Sequence, residues 1–161
     1  MKPSKLQAEI AQRKPFRSVR QEASLALART TARVLRHYAA TLDPHGMTPQ
    51  QFNVLRILRG AGKDGLPTME IGRRMVEQAP GTTRLIDRLI RKGWVERGAA
   101  HGDRRQVVCR ITERGSAALA GADGDVAQAD EEVLAPLSKA EVRELIRMMD
   151  AIRAGLHREP V

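Results

Sequence analysis

Apolar residues recur along the 161-residue chain at two different spacings, and the places where the spacing changes mark its elements. From Ser18 onward, Leu27, Thr31, Val34, Tyr38 and Leu42 return at steps of three and four, which predicts one long helix with a single apolar stripe, ended by Asp43, Pro44 and Gly46. Thr48-Pro49-Gln50-Gln51 then supplies a cap, a proline at the first helical position and a glutamine three residues on, so a second helix starts there. Phe52, Leu55 and Leu58 form its inner face, and it stops near Gly60 at the loop Gly-Ala-Gly-Lys-Asp-Gly. Thr68 is placed to cap a short third helix running to about Val76, with Ile71, Met75 and Val76 turned inward. A fourth helix is expected from Pro80 to Lys92, closed by Gly93 as a left-handed C-terminal residue.

The period then drops to two. Trp94 to Gly98 and Gln106 to Thr112 are short, β-branched and alternating, and the residues between them, Ala99 to Arg105, hold a Gly-Asp pair, so a two-stranded hairpin is predicted. Helical spacing returns after Thr112, although Gly115, Gly121 and Gly124 leave the continuity of that segment open. A final helix is clearer. Ser138-Lys139-Ala140-Glu141 is a capping box, followed by Val142, Leu145, Met149, Ile152 and Leu156 at alternating steps of three and four. The expected class is mainly α with a small β-hairpin wing: a basic arm over 1–17, mobile or loosely docked, a helix over 18–46, a winged helix-turn-helix lobe over 47–115, and C-terminal helices over 116–161.

Charge adds a partner to this outline. Lys and Arg number 28 against 19 Asp and Glu, a formal net charge of +9, which favours a polyanion, with nucleic acid first and a membrane surface second. No apolar run approaches the ~20 residues of a bilayer crossing. The opening residues lack the apolar stretch of a secretory signal, so a cytoplasmic location is expected. The one cysteine, Cys109, excludes an intrachain disulfide framework and a multi-cysteine metal site. No cofactor is expected. No nucleophile sits beside a base, no paired carboxylates mark a cleft, and no glycine-rich loop follows a strand, so enzyme chemistry is not expected either.

The fourth helix and the hairpin carry the candidate chemistry. At about 100° per residue, Thr82, Leu85, Ile86, Leu89 and Ile90 fall on one side of the helix, and Arg84, Arg88 and Arg91 on the other. One face suits a core and the other a groove. Thr82, projecting with Leu85 and Leu89, belongs with the core. Pro80, Gly81 and Thr83 are small, so the helix start can approach a phosphate closely with its open backbone amides. At the hairpin tip, Arg104 and Arg105 can reach a minor groove, where negative potential is focused, with Asp103 orienting one of them.

These residues resemble the MarR family of bacterial transcription regulators. The likeness runs through Met47 to Leu58, the helix Thr82 to Arg97, and the wing Asp103 to Gly115, with Asp-Arg-Arg after the helix and Ile-Thr-x-x-Gly after the strand. It implies a homodimer whose first and last helices interlock, two lobes reading successive major grooves of a pseudo-palindromic duplex, and wings in the flanking minor grooves. By position it implies that Thr83 and Arg84 meet bases or nearby phosphates, Arg88 a phosphate, and Arg105 the minor groove braced by Asp103; Arg104 fits less closely. The resemblance also implies release of DNA by a small, often aromatic, acid. Members that respond to oxidation use a cysteine near the N-terminus. This chain departs from them, because Cys109 lies on the second wing strand at a packing position.

Other positions have two readings. Thr68, Arg73, Arg74 and His101 are candidates for phosphate contacts; for Arg73 and Arg74 the rival is plain solubility. His37, Tyr38 and Phe52 are candidates for an effector pocket, with ordinary core packing as the rival. Val142, Leu145, Met149, Ile152 and Leu156 form a stripe with little else in the chain to cover it, which favours a partner helix. A general nucleic-acid-binding or chromosome-associated protein without an effector is the alternative function. Aromatic residues at 2% leave few stacking platforms for single-strand recognition.

Overall fold

Five helices begin by one device, a hydroxyl that accepts from the backbone amide three residues on. Ser4 caps Gln7 at 3.2 Å, Ser18 caps Gln21 at 3.1 Å, Thr48 caps Gln51 at 3.2 Å, Thr112 caps Gly115 at 3.0 Å and Ser138 caps Glu141 at 3.3 Å. Each satisfies an orphan amide worth roughly 1 kcal/mol. In the computed structural model, residues 4–77, 81–100 and 103–156 are described, with 103 and 104 as backbone only. Their order is α1 (Lys5–Glu9), α2 (Val19–Leu42), α3 (Pro49–Ala61), α4 (Thr68–Arg74), α5 (Thr82–Arg91), β1 (Val95–Ala100), β2 (Asp103–Ile111), α6 (Glu113–Leu134) and α7 (Lys139–Leu156). Single 3-10 turns at Asp43–His45 and Gly62–Asp64 follow α2 and α3.

One apolar cluster joins most of these elements. Leu55 and Leu58 of α3, Ile71 of α4, Ile86 and Leu89 of α5, Val95 of β1, Cys109 of β2 and Leu119 of α6 are essentially without exposure. Fully burying a side chain of this kind is worth about 1.5–3 kcal/mol, so the core and not helix propensity holds the short α4 and α5 in place. Leu119, Ala122 and Val126 put the first half of α6 in the same core, and the boundary expected at 115/116 falls inside this helix. Across the surface, Asp123 of α6 takes Arg59 of α3 at 2.5 Å, and Asp125 takes His45 at 2.7 Å. Among the described residues no helix is long and apolar enough to cross a membrane.

Several expected boundaries move. The basic arm contains α1, capped by Ser4, and Glu9 folds back to Arg33 of α2 at 2.8 Å. Thr68 does not cap α4: Pro67 occupies the cap position in extended geometry, and the Thr68 hydroxyl lies 3.8 Å from Cys109 Sγ. Val76 is 89% exposed and not turned inward. The helix ends at Arg74 and Met75 is extended, which carries the next side chain to the opposite side. Helix α5 begins at Thr82 behind Gly81, whose φ of 118° suits glycine, and Pro80 lies outside the described residues.

The hairpin is longer than its alternation suggests, since Ala99, Ala100 and Asp103 to Arg105 are strand residues and not turn. Its antiparallel register runs from Val95 opposite Ile111 to Ala99 opposite Val107 and then skips, so that Ala100 meets Asp103. Three residues of β2, Arg104, Arg105 and Gln106, sit in that skip. Leu66 pairs with Cys109 through two backbone bonds, 2.8 and 3.0 Å, and fastens the base of the hairpin to the lobe. Helix α6 is continuous through its three glycines.

Candidate nucleic-acid interface

Helix α5 divides as its spacing predicts. Ile86 and Leu89 are buried, Leu85 and Ile90 pack against the core, and Thr83, Arg84, Arg88 and Arg91 are exposed. Thr82 turns inward. Its Oγ1 lies 3.2 Å from the place where a Cβ on Gly72 would stand, so glycine at 72 lets α4 and α5 meet closely. From Arg84 to Arg91 the cationic stripe rises about 10 Å along the helix, comparable to the ~12 Å width of a B-form major groove.

Two hollows flank that stripe. One, about 260 Å³, lies between the first turn of α3 and the start of α5, lined by Gln50, Met75, Glu77, Gly81, Thr82, Arg84, Leu85 and Arg88. The other is bounded by Gln51, Arg88, Arg91 and Lys92. Gln50 and Glu77 are additions to the expected set. Gln50 Nε2 donates to Glu77 Oε2 at 3.0 Å and places an acid on an otherwise cationic face. The pair joins residues 27 apart in sequence, and no local pattern announces it.

The wing is braced against α5. Arg97 of β1 reaches Asp87 of α5 at 2.9 Å, on the flank of the helix between its buried and cationic faces. Arg105 is exposed on β2 in the register skip. Asp103 and Arg104 are on β2 by backbone, but the side chains expected to reach DNA, and the Asp103 brace, lie outside the described residues, as does His101. Arg73 and Arg74 are exposed on α4 and share Glu70, Arg74 at 2.7 Å and Arg73 at 3.9 Å. Exposed pairs of this kind contribute only ~0.2–1 kcal/mol, so a phosphate can displace them. The Thr68 hydroxyl instead faces Cys109, which is 1% exposed and so has the packing role its alternation implies.

A helix with one buried face and one cationic face, a preceding short helix held against it, and a hairpin braced to its flank make a winged helix-turn-helix. Residues 45–106 match the sequence model of the MarR family. An HTH-type transcriptional repressor of Mycobacterium tuberculosis is 31% identical over 114 residues, 71% of this chain and 81% of that protein. The chain belongs to the MarR family. Among solved MarR-family relatives, a mutant MarR from Escherichia coli complexed with operator DNA is 26% identical, with a TM-score of 0.73 over 92% of this chain and 99% of that one. CouR from Rhodococcus jostii, bound to p-coumaroyl-CoA, is 21% identical and shares the fold at a TM-score of 0.73 over 91% of this chain and 99% of its own.

The residues of this MarR-family chain that were candidates for an effector pocket lie between the core and the contact of α2 with α6. Phe52 is buried in the core with Arg56 above its ring, 5.8 Å from the centroid. Tyr38 packs against the same core, its hydroxyl donates to Asp130 of α6, and His37 Nε2 meets Glu132 of α6 at 3.2 Å. Neither hollow beside α5 includes any of the three. Val142, Leu145 and Met149 of α7 are half-buried, and Ile152 and Leu156 are exposed.

Proposed function

We propose that this MarR-family regulator is a homodimeric repressor that seats α5 of each copy in a major groove of a pseudo-palindromic duplex, lays each wing in the flanking minor groove, and releases DNA when a small organic acid binds. The observation that carries the reading is the division of α5 into a core-packed face and a face bearing Arg84, Arg88 and Arg91, with the wing braced at its side by Arg97 and Asp87. In this arrangement Thr83 and Arg84 reach base edges or adjacent phosphates, Arg88 a phosphate, and Arg105 the minor groove. Pro80 and Gly81 bring the helix start close to the backbone. Arg104 and His101 add contacts at the tip, and Arg73 and Arg74 add them from α4.

A repressor among the relatives and an operator complex in the family support the duplex, and the aromatic acyl-CoA held by CouR supports an effector with an aromatic group. An effector entering at the α2 and α6 seam would displace Asp130 from Tyr38 and Glu132 from His37. Catalysis is not part of this reading, and a cytoplasmic location follows from the duplex target. Selection of bound duplexes from a random pool is the test. Two inverted half-sites about 10 base pairs apart are expected. Enrichment without a motif would favour a general nucleic-acid-binding protein.

A further inference from the structure

Arg110 lies on β2, and its side chain runs back along the wing. Its Nε donates to the Lys63 carbonyl at 2.7 Å, and its Nη2 donates to the Ala99 carbonyl at 2.9 Å. Lys63 belongs to the 3-10 turn after α3, part of the lobe, whereas Ala99 is the last β1 residue before the register skip. One planar guanidinium therefore ties the lobe to the wing where the regular ladder ends. Two glycines open its path. A Cβ on Gly65, whose φ is 68°, would stand 2.7 Å from Arg110 Cγ and 2.5 Å from the Cys109 carbonyl oxygen, and a Cβ on Gly98 would stand 3.1 Å from Arg110 Nη1.

We infer that Arg110 is a positioning residue for DNA binding: it fixes the angle of the wing so that Arg105 is presented to the duplex, an inference that rests on the proposed role of the wing. A two-stranded hairpin is marginal by itself, and beyond the Leu66 to Cys109 bridge its strands lean on the lobe through side chains. A wing free to pivot must be ordered on binding, and that cost comes out of affinity. Arginine suits the task because its fork fixes two donor directions at once, whereas a lysine offers a point charge on a flexible stem. Both acceptors are carbonyls, so the geometry of the fork is what the site uses.

The test compares full-length Arg110→Met, Arg110→Lys, Gly65→Ala and Arg105→Ala with the parent chain. Amide exchange without DNA should rise over residues 97–109 in Arg110→Met while α5 stays protected. Unchanged exchange overturns the strut. On a selected duplex, Arg110→Met should lose about tenfold in affinity and flatten the salt dependence by about one unit per wing, as Arg105→Ala does. The double variant should lose less than the product of the two. Arg110→Lys should bind close to Arg110→Met; parent-like binding would mean that the charge itself meets phosphate, which also overturns the inference. Gly65→Ala should reproduce the loosened wing with Arg110 intact. If Arg105→Ala and Arg110→Met both keep the parent slope although exchange rises, the wing is not a DNA contact and the proposed function loses that element.

Discussion

Tyr38 is the one tyrosine of the chain, so its titration is read without overlap from another phenol. Burial, then the hydrogen bond to Asp130 and the negative charge on that carboxylate, push its pKa up from 10.0 to about 12. The folded state therefore holds the phenolic proton more tightly than the unfolded chain does. Stability from this site is complete below pH 10 and is lost as pH rises toward 12. An ultraviolet titration should show phenolate absorbance well above the ordinary tyrosine range, and the melting temperature of Tyr38→Phe should lose the corresponding decline. A midpoint near 10 would detach Tyr38 from Asp130. Cys109 gives a second reading at this scale. At 1% exposure its thiol should react with a disulfide reagent only after denaturant is added, and Cys109→Ser should leave any peroxide response unchanged. Prompt labelling of the native protein would contradict the packing role. The burial of Cys109 and the inward turn of Thr82 were both legible in the sequence, because each depends only on which face a residue occupies. The contact between Tyr38 and Asp130 was not, since it joins residues 92 apart.

Helix α6 shows where local propensity stops being a guide to an element. Its glycines weaken a helical reading of the sequence, yet the helix is unbroken, and they are not equivalent. A Cβ on Gly115 would stand 2.1 Å from the backbone oxygen of Trp94, whereas those on Gly121 and Gly124 would meet open space. Gly115→Ala should cost about 1–3 kcal/mol through overpacking, because the clash is with backbone. Gly121→Ala, on the exposed side, should gain about 0.5–1 kcal/mol by restricting the unfolded chain. Paired denaturant titrations check the two signs, and equal effects would mean that α6 does not press on Trp94. The same division governs the other elements. The two faces of α5 were readable because a 3.6-residue period is local information. The start of α4 at Thr68, the outward turn of Val76 and the longer wing were not, because Pro67, the extended Met75 and the register skip answer to tertiary contacts.

The whole molecule leaves one surface unexplained by a single chain. No residue of α7 is buried among the described residues, although its capping box is fully formed and starts the helix firmly. Ile146, Ile152 and Leu156 are 55%, 45% and 78% exposed, and the stripe of Val142, Leu145 and Met149 is only half covered. An amphipathic terminal helix in that condition lacks most of the burial that stabilises such a helix in water, which favours a partner helix from a second copy. The homodimer proposed here supplies it, with α7 of one copy against its equivalent. Leu145→Glu places a carboxylate in that seam and should cost about 3–5 kcal/mol of association if the charge is buried unpaired. On a sizing column the variant should elute as a monomer while its circular dichroism stays helical over the lobe. Its affinity for a two-half-site duplex should fall to that for one half-site, with the salt slope roughly halved, since one α5 and one wing then remain on the DNA. A dimer that survives the substitution would move the interface to α2, where Val19, Leu25 and Leu35 are the exposed alternatives.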